Sequence, residues 1–362
     1  MRTFMQAVVP ILLVVLGLHF GCKKNPTSPP QKNPRELTWR VDTLAYPGSF
    51  QTLLYDIWGS SAKDVYAVGS NSNNRGLMWH FDGKSWTDIK LGVTQGGTIV
   101  GAIDLEDIYG FGPNDIWAVG DHIRNNPNPP PNFLDSSLLI HFDGGRWREI
   151  PTPEGRTLTA VWGRSSNDLW IAGLQGTMFH YDGTMVKDQA FPLTATSDID
   201  TFYVPISIVG NASGEMYVLV ADNTLGGRQF FFLQRENDRW VVKENNFFFH
   251  SSGLWMSPSG TLYVSGQSVY RRQNGGWNKI LDGFNTLYSI GIHGSDDNNI
   301  FVVGRSNVEP YPGAIYHYNG SDWFNFQNLN IVDFVYFDVW TDGRDVFVLG
   351  HRGNQSVVLH GK

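Results

Sequence analysis

The stretch IWGSSAKDVYAVG, residues 57–69, decides the fold because it returns twice along the chain. The copies read IYGFGPNDIWAVG from Ile108 and VWGRSSNDLWIAG from Val161. In each copy an apolar strand ends near a glycine, a short polar turn follows, and a second apolar strand begins at an aspartate. A phrase that recurs at a regular interval marks one structural unit that is stacked several times.

Each repeat continues into two further strands. The third strand runs into HFDG or a similar tight turn, and the fourth opens with tryptophan, as in HFDGKSWTDI at residues 80–89. Successive second-strand aromatic residues lie 51, 53, 47, 46, 38 and 46 residues apart, at Tyr66, Trp117, Trp170, Tyr217, Tyr263, Phe301 and Phe347. Four-stranded units of about 40–50 residues are typical of propeller blades.

The last repeat stops at VVLHGK without a fourth strand that opens with tryptophan. An unmatched segment of that type, ELTWRVDTL at residues 36–44, precedes the first repeat. The sequence therefore predicts an all-β fold: a seven-bladed β-propeller of four-stranded antiparallel blades, closed by an N-terminal strand that completes the last blade. Such closure removes the sheet edges that would otherwise be exposed.

The phrase WGSSxxDVYAVG…HFDGxxW resembles the repeat β-propellers of bacterial secreted and surface proteins. Its third turn is similar to kelch and Asp-box turns, since Asp82, Asp143 and Asp182 each precede a glycine. A true Asp box has one residue between the aspartate and the glycine, so no family active site is carried over. The resemblance implies the propeller fold over residues 36–362 and leaves function open, because such rings host enzymes, binders and scaffolds.

The N-terminus has the pattern of a targeting segment. Residues 1–21 combine Arg2 with an apolar stretch too short for a stable membrane span, which predicts a signal peptide. Cys22, the only cysteine, follows in FGC and resembles the acylated cysteine of bacterial lipoproteins. Residues 22–35 are then a lipidated cysteine and a proline-rich, disordered tether. We expect lipid anchoring in the bacterial envelope, at the outer membrane and facing the periplasm or the surface; an ordinary cleaved signal peptide is the alternative.

Composition excludes some classes of partner and site. The net charge is −7 and no run of Lys or Arg occurs, so no nucleic-acid partner is expected. With one cysteine, the chain forms no intramolecular disulfide and no thiolate metal cluster. We expect no contact with the membrane other than through the N-terminal lipid.

Most of the conspicuous side chains recur once per blade, which predicts packing rather than chemistry. The tryptophans fall into columns, so we expect them between blades rather than on a sugar-binding platform. The histidines that end third strands are expected to hydrogen-bond within their own blades rather than share a metal; they are His80, His141, His180, His317 and His360. The aspartates that open second strands are expected to accept turn N–H groups; they are Asp64, Asp115, Asp168 and Asp345.

Departures from the repeat carry the functional hypotheses. The connections at one end of the blades are short and uniform, while those at the other end are long and dissimilar, which indicates either a binding surface or loops that are merely tolerated. The insertion in the second blade, with prolines at 127 and 129–131, predicts a stiff polyproline-like arm.

An acidic rim is predicted at the channel mouth on the side of the long loops, able to take a cation or a polyhydroxylated ligand. Solvated carboxylates at strand ends are the alternative. No cofactor is expected, and a channel-bound cation such as calcium has no support beyond these acids. The candidate ligand-binding residues are Tyr55, Asp56, Asp104, Glu106, Asp107, His293 and Asp338.

The function favoured by this pattern is a non-catalytic envelope or cell-surface lipoprotein that binds a protein or glycan partner through its loop-rich face. One alternative is a glycan-active hydrolase or lyase, which would need two carboxylates about 5–10 Å apart. Another is a purely structural subunit of an envelope assembly. No nucleophile elbow, HExxH or phosphate-binding motif is present, so no catalytic residue is assigned.

Overall fold

The computed structural model describes residues 33–46, 48–73, 77–153, 156–193, 203–222, 229–245, 251–283 and 287–362. The expected signal peptide, Cys22 and most of the tether lie outside the described residues. Within the described ranges, no helix has the length and apolar character needed to cross a membrane.

The described strands form seven four-stranded antiparallel sheets, each of which is one blade. The first strand, β1 (Trp39–Leu44), belongs to the last blade. Blade 1 is β2 (Thr52–Ser61), β3 (Asp64–Asn71), β4 (Leu77–Phe81) and β5 (Trp86–Asp88). Blade 2 is β6 (Ala102–Gly112), β7 (Asp115–Asn125), β8 (Phe133–Phe142) and β9 (Trp147–Glu149). Blade 3 is β10 (Leu158–Ser165), β11 (Asp168–Gly173), β12 (Thr177–Tyr181) and β13 (Val186–Asp188).

The remaining blades follow the same order. Blade 4 is β14 (Tyr203–Gly210), β15 (Met216–Asp222), β16 (Gln229–Glu236) and β17 (Arg239–Glu244). Blade 5 is β18 (Ser251–Met256), β19 (Leu262–Gly266), β20 (Val269–Gln273) and β21 (Gly276–Leu281). Blade 6 is β22 (Leu287–Asp296), β23 (Asn299–Ser306), β24 (Gly313–Tyr318) and β25 (Trp323–Asn325). Blade 7 is β26 (Phe334–Thr341), β27 (Val346–Arg352), β28 (Gln355–Gly361) and β1. Short 3-10 helices lie at Pro34–Glu36, Val93–Gln95, Leu174–Gly176 and Gln327–Leu329.

The N-terminal strand closes the ring, as the sequence predicts. β1 pairs antiparallel with β28, with Trp39 opposite Gly361 and Leu44 opposite Ser356. The backbones of Thr38 and Lys362 add two hydrogen bonds of 3.0 Å beyond the strand ends. The first and last parts of the folded chain are therefore held in one sheet, and the prediction of a closed seven-bladed propeller is confirmed.

The compact unit begins at Asn33, three residues before the boundary expected from sequence. Arg35 joins it to blade 6: its guanidinium donates to the Asp322 backbone oxygen at 2.9 Å, pairs with the Asp322 carboxylate, and donates to His317 Nδ1 at 3.3 Å. Burial, together with the Arg35 charge, lowers the pKa of His317 to about 4, so the imidazole stays neutral and can accept this bond.

The inner contact between blades places a tryptophan over a glycine. The ring of Trp58 in blade 1 covers Gly110 of blade 2 so closely that an added Cβ would lie 2.5 Å from it. The same contact recurs at three other boundaries, from Trp162 to Gly210, from Trp255 to Gly294 and from Trp340 to Gly59. In the recurring WG dipeptide, the tryptophan thus packs against the next blade, and the glycine leaves space for the tryptophan ring of the preceding blade.

The outer contact uses the tryptophan that opens a fourth strand. This ring packs edge to face against an aromatic side chain in the second strand of the preceding blade, at 5.7–6.4 Å between ring centroids. The pairs are Trp86 with Phe347, Trp147 with Tyr66, and Trp240 with Trp170. The prediction that the tryptophan columns pack between blades is confirmed.

In five blades the histidine that ends the third strand bonds within its own blade, as predicted. In four blades His Nε2 lies 2.7–2.8 Å from the carboxylate of the aspartate that opens the second strand. In blade 6, Asn299 takes the place of that aspartate, 2.9 Å from His317. The pairs are His80 with Asp64, His141 with Asp115, His180 with Asp168, and His360 with Asp345. The role predicted for these aspartates was wrong, because their carboxylates face side chains across the sheet rather than turn N–H groups.

The two ends of the blades form different surfaces. The turn face carries the turns between first and second and between third and fourth strands; in blade 2 these are residues 113–114 and 143–146. The loop face carries the connections between second and third strands and between blades; in blade 2 these include residues 126–132 and 150–153. The predicted polyproline arm of blade 2 was wrong. β7 and β8 pair as far as Asn125 opposite Phe133, and only residues 126–132 form the tip of this hairpin.

We predict that Gly110→Ala destabilises the protein by about 1–3 kcal/mol, because the new methyl group overpacks the boundary between blades 1 and 2. Gly112→Ala is the matched control on the same strand, since an added Cβ there meets nothing within 4 Å. Chemical denaturation of both variants measures the difference. Equal free energies of unfolding would show that the ring over Gly110 does not limit packing.

Candidate functional site

A cavity of about 310 Å³ opens at the loop-face end of the central channel. It is bordered by seven residues, one from each innermost strand, that sit where the register shifts by one residue. A bulged residue is left out of the ladder, so these seven side chains turn toward the channel. They are Tyr55, Glu106, Thr159, Ile206, Ser252, Ile290 and Phe337.

In six blades the residue that follows the bulge forms part of the floor of this cavity. Three neighbouring blades place aspartates there, Asp338, Asp56 and Asp107, while blades 4, 5 and 6 place Ser207, Gly253 and Gly291. The acids therefore line only one side of the channel, across blades 7, 1 and 2.

Each of the three aspartates joins two blades. Asp338 accepts the Ile57 N–H of blade 1 at 3.2 Å, and Asp56 accepts the Ile108 N–H of blade 2 at 2.8 Å. Asp107 continues the series by accepting the Val161 N–H of blade 3 at 2.7 Å. The innermost strands have no neighbouring strand on the channel side, and these carboxylates satisfy the N–H groups that point there.

The acids repel one another across a narrow, desolvated space. Burial, with the nearby Asp56 carboxylate, raises the pKa of both Asp107 and Asp338 well above the usual range. Burial also raises the pKa of Glu106 to about 7, with help from Asp121 and Asp104. A hydrogen bond of 2.9 Å to Ser70 holds the Tyr55 hydroxyl beside this group.

The predicted acidic rim is thus only partly assembled at the loop-face mouth. Five of its residues border the cavity, namely Tyr55, Asp56, Glu106, Asp107 and Asp338. His293 lies on the other side of the aspartate floor, in a cavity of about 610 Å³ that opens toward the turn face. In blade 6 it occupies the first-strand position that is tryptophan in blades 1, 3, 5 and 7. Its Nδ1 accepts the Thr341 N–H of blade 7 at 3.3 Å. Burial lowers the pKa of His293 to about 4.

Asp104 belongs to a different surface. It pairs directly opposite Asp121 between β6 and β7, on the sheet face of blade 2 that continues upward from the contact with blade 3. Burial raises the pKa of Asp104 to about 6, and burial with the Asp104 and Asp135 carboxylates raises the pKa of Asp121 to about 7. The sequence reasoning missed Asp121 and Asp135; alternation in GDHIR and FLDSS was the signal that would have placed both on strands.

The described residues contain no group of three or more His, Cys, Asp or Glu side chains arranged to hold a metal ion. In the channel, the lone pairs of the aspartates are directed at backbone N–H groups, which reduces the number of oxygens free for a cation.

Comparison with known proteins identifies a fold and no family. No family model matches the chain, and no curated protein matches it in sequence. The structure is similar to that of YCF48 bound to D1 peptide, with a TM-score of 0.61 and 16% identity over 91% of this chain and 97% of that chain. YCF48 from Cyanidioschyzon merolae gives 0.60 and 15% over 88% and 98%. The Niastella koreensis GH74 enzyme gives 0.56 and 13% over 85% of this chain and 52% of that chain. At these identities the likeness shows the propeller fold alone.

We predict that Asp104→Asn/Asp121→Asn raises the melting temperature at pH 8 and has a smaller effect at pH 5. The folded-state pKa values of about 6 and about 7 lie above the unfolded value of 3.8, so the folded protein loses stability as these groups ionise with rising pH. The amides remove that loss. Thermal unfolding in low salt measures it.

The control for this experiment is Asp82→Asn/Asp182→Asn on the turn face. There, hydrogen bonds from turn N–H groups and nearby side chains hold the pKa of each carboxyl below its usual value, so the substitution should lower the melting temperature at pH 8. A double variant at Asp104 and Asp121 that is less stable than the wild type at both pH values would contradict the repulsion.

Proposed function

We propose that this protein is a non-catalytic binding module, anchored by a lipid in the bacterial envelope, that holds a protein partner on its loop face. The observation that carries the proposal is where the exposed apolar side chains lie. Of thirteen large exposed hydrophobic side chains in the described part of the chain, nine belong to segments at the loop face. They are Phe50, Val93, Val100, Ile123, Phe133, Leu134, Val308, Tyr311 and Val332.

Apolar side chains at the surface are ordinary when they are scattered, and they indicate an interface when they gather on one side. Here the same side also carries the long, dissimilar connections. Phe50 is 81% exposed on the connection into blade 1, and Phe133 is 61% exposed on the hairpin of blade 2. The turn face by contrast consists of short turns that are closed by their own Asp or Asn side chains.

The start of the described chain supports the anchored arrangement. Asn33 lies on the turn face, because Arg35 binds the turn at Asp322 and the end of the third strand at His317. A lipid attached upstream would therefore be joined to the propeller at the turn face, at the end of the blades opposite the loop face. One of the structurally similar propellers was solved with a peptide bound, which is consistent with this use of the fold.

The hydrogen bonds of the channel aspartates favour a binding function over the glycan-active alternative. Glycoside hydrolysis needs one carboxyl group to donate a proton and a second to act as base or nucleophile beside the sugar. Asp56, Asp107 and Asp338 instead accept backbone N–H groups across blade boundaries. A structural subunit would also bind a protein partner and is a special case of the proposal.

The proposal is tested by capturing partners from the native envelope with the full-length protein. A loop-face variant, Phe50→Ser/Phe133→Ser/Val308→Ser, is expected to lose the partner, because each change removes an exposed apolar contact. The matched control, Val41→Ser/Met185→Ser/Phe324→Ser, changes three exposed apolar residues away from that face and should retain it. Equal capture by both variants, or capture of polysaccharide alone, would contradict a protein-binding loop face.

Lipid anchoring is tested separately by Cys22→Ser. Without the thiol no acyl chain can be attached, and an acyl chain contributes about 0.8 kcal/mol per buried CH₂ to membrane binding. We expect the variant to move from the membrane fraction to the soluble fraction while its melting temperature is unchanged. Membrane fractionation equal to that of the wild type would contradict the lipoprotein interpretation.

A further inference from the structure

Blade 2 stands higher than the blade beside it. Its second and third strands, β7 and β8, have 11 and 10 residues, whereas β11 and β12 of blade 3 have 6 and 5. At about 3.4 Å per residue, five additional residues per strand extend the sheet by about 17 Å beyond blade 3. We call this extension the blade-two wall: residues 102–104 of β6, 121–125 of β7 and 133–137 of β8.

One side of the wall is covered by the chain itself. His122 points toward blade 1, is fully buried, and lies with Nδ1 3.1 Å from the Val100 carbonyl oxygen. Leu91 and Ile99, from the connection between blades 1 and 2, pack with Ile103 in the same cluster. The connection between blades 1 and 2 therefore covers this side of the wall.

The opposite side faces the space above blade 3. The side chains of Trp117 and Val119 lower on β7 pack against blade 3, and alternation along the strand puts Asp121 and Ile123 on that same side. Ile123 is 42% exposed, and Asp135, which lies directly opposite it on β8, is exposed. Thr152 and Pro153 reach this side at its base, where both bond to Ser137. Above Ser137 the wall thus presents a sheet face with apolar and acidic side chains to solvent.

The acids of this face have no cationic partner. Among the ion pairs of the described residues none includes Asp104, Asp121 or Asp135, although many other carboxylates on the blades pair with His, Lys or Arg. Asp104 and Asp121 stand directly opposite each other, an arrangement that destabilises a sheet when both are charged. Asp104 Oδ1 is buried and accepts no hydrogen bond from the described residues.

We propose that the exposed side of the blade-two wall is the docking surface for an extended segment of a partner protein whose wall-facing side chains, at every second residue, are basic and apolar in turn. The inference rests on the proposed function and specifies its partner. Lys or Arg side chains of the segment would neutralise the carboxylates at positions 104, 121 and 135, and the apolar side chains between them would cover Ile123 and Phe133. Side chains of an extended segment point alternately to its two sides, so every second residue faces the wall. These wall-facing residues must themselves be basic and apolar in turn, because Asp121 and Ile123 lie two residues apart on one face of β7.

Glu106 extends the acidic surface from the wall to the channel. It borders the loop-face cavity, and Asp104 and Asp121 are the charges that add to its raised pKa. A lysine or arginine at one end of the docked segment would reach the cavity, where Glu106 and Tyr55 offer oxygen atoms. The cavity and the wall then form one continuous binding surface.

The test uses a fluorescent ten-residue peptide in which every second residue is lysine and valine in turn, with serine at the positions between them. Its binding is measured by anisotropy against the full-length protein at pH 7.5. The wild type should bind it, and Asp104→Asn/Asp121→Asn/Asp135→Asn should weaken binding by at least tenfold. Ile123→Ser/Phe133→Ser should weaken it independently, with the acids intact. Two matched peptides, one with glutamate for lysine and one with serine for valine, should bind more weakly than the first.

The control variant is Asp82→Asn/Asp143→Asn/Asp182→Asn, which changes net charge equally but on the turn face. Asparagine is compatible with this turn, because blade 6 has Asn319 there accepting the same N–H bonds. Equal affinity for the control and the wall variant, or equal binding of the serine peptide, would show non-specific charge attraction and overturn the proposal. Absence of peptide binding would also overturn it, whereas retained envelope capture would leave the broader proposed function standing.

Discussion

The ring depends on a wedge contact in which the tryptophan of one blade fills the space over the glycine of the next. Sheets that radiate from an axis diverge, so a gap forms between neighbouring blades. It is filled by a large side chain from one blade, which faces a residue without a side chain on the next. Trp58 over Gly110 and Trp340 over Gly59 meet this need at successive boundaries, and the second of these lies at the closure of the ring. Where the tryptophan is absent, another interblade contact is found: His293 accepts a backbone N–H from blade 7. The histidine looks functional in the sequence and is explained by its place in this column.

The channel acids are part of the same closure. Asp338, Asp56 and Asp107 bridge blades 7, 1, 2 and 3, the region that contains the junction of the first and last blades. Acids concentrated in a channel would ordinarily indicate a ligand, but here the carboxylates satisfy backbone donors along strands that lack a neighbour. Gly253 and Gly291 occupy the equivalent positions on the far side, where other groups approach so closely that an added Cβ would lie 2.6 Å from the nearest atom. The asymmetry of the channel thus follows from packing and hydrogen bonding, and it shifts attention from the channel to the surface around it.

The sequence predicts this fold well because the repeat exposes columns. Trp86 follows Asp82 at the same spacing as Trp147 follows Asp143, and a column of identical residues can be interpreted without coordinates. The match of β1 to the missing fourth strand is predictable for the same reason.

The site is less predictable because it depends on departures from the columns. The bulge before Asp56 has no residue signature, so the sequence places Tyr55, Asp56 and Asp104 together although the bulge and the strand pairing separate Asp104 from the channel. The proline run similarly obscures the strands on either side of it, since the pairing of Asn125 with Phe133 is decided by the opposing strand.

The contrast between the two sets of carboxylates carries the functional argument furthest. The aspartates that recur in columns have partners that the repeat supplies: a histidine across the sheet or the N–H groups of a turn. The row formed by Asp104, Asp121 and Asp135 has no such partner, although the pairing of the first two places like charges side by side. Sequences that fold to one structure are locally consistent, and the positions that break this consistency are typically functional. This acidic row lies on an exposed sheet face and places two like charges directly opposite each other. It is a departure from the repeat that folding does not explain, and a basic segment from another protein would neutralise it.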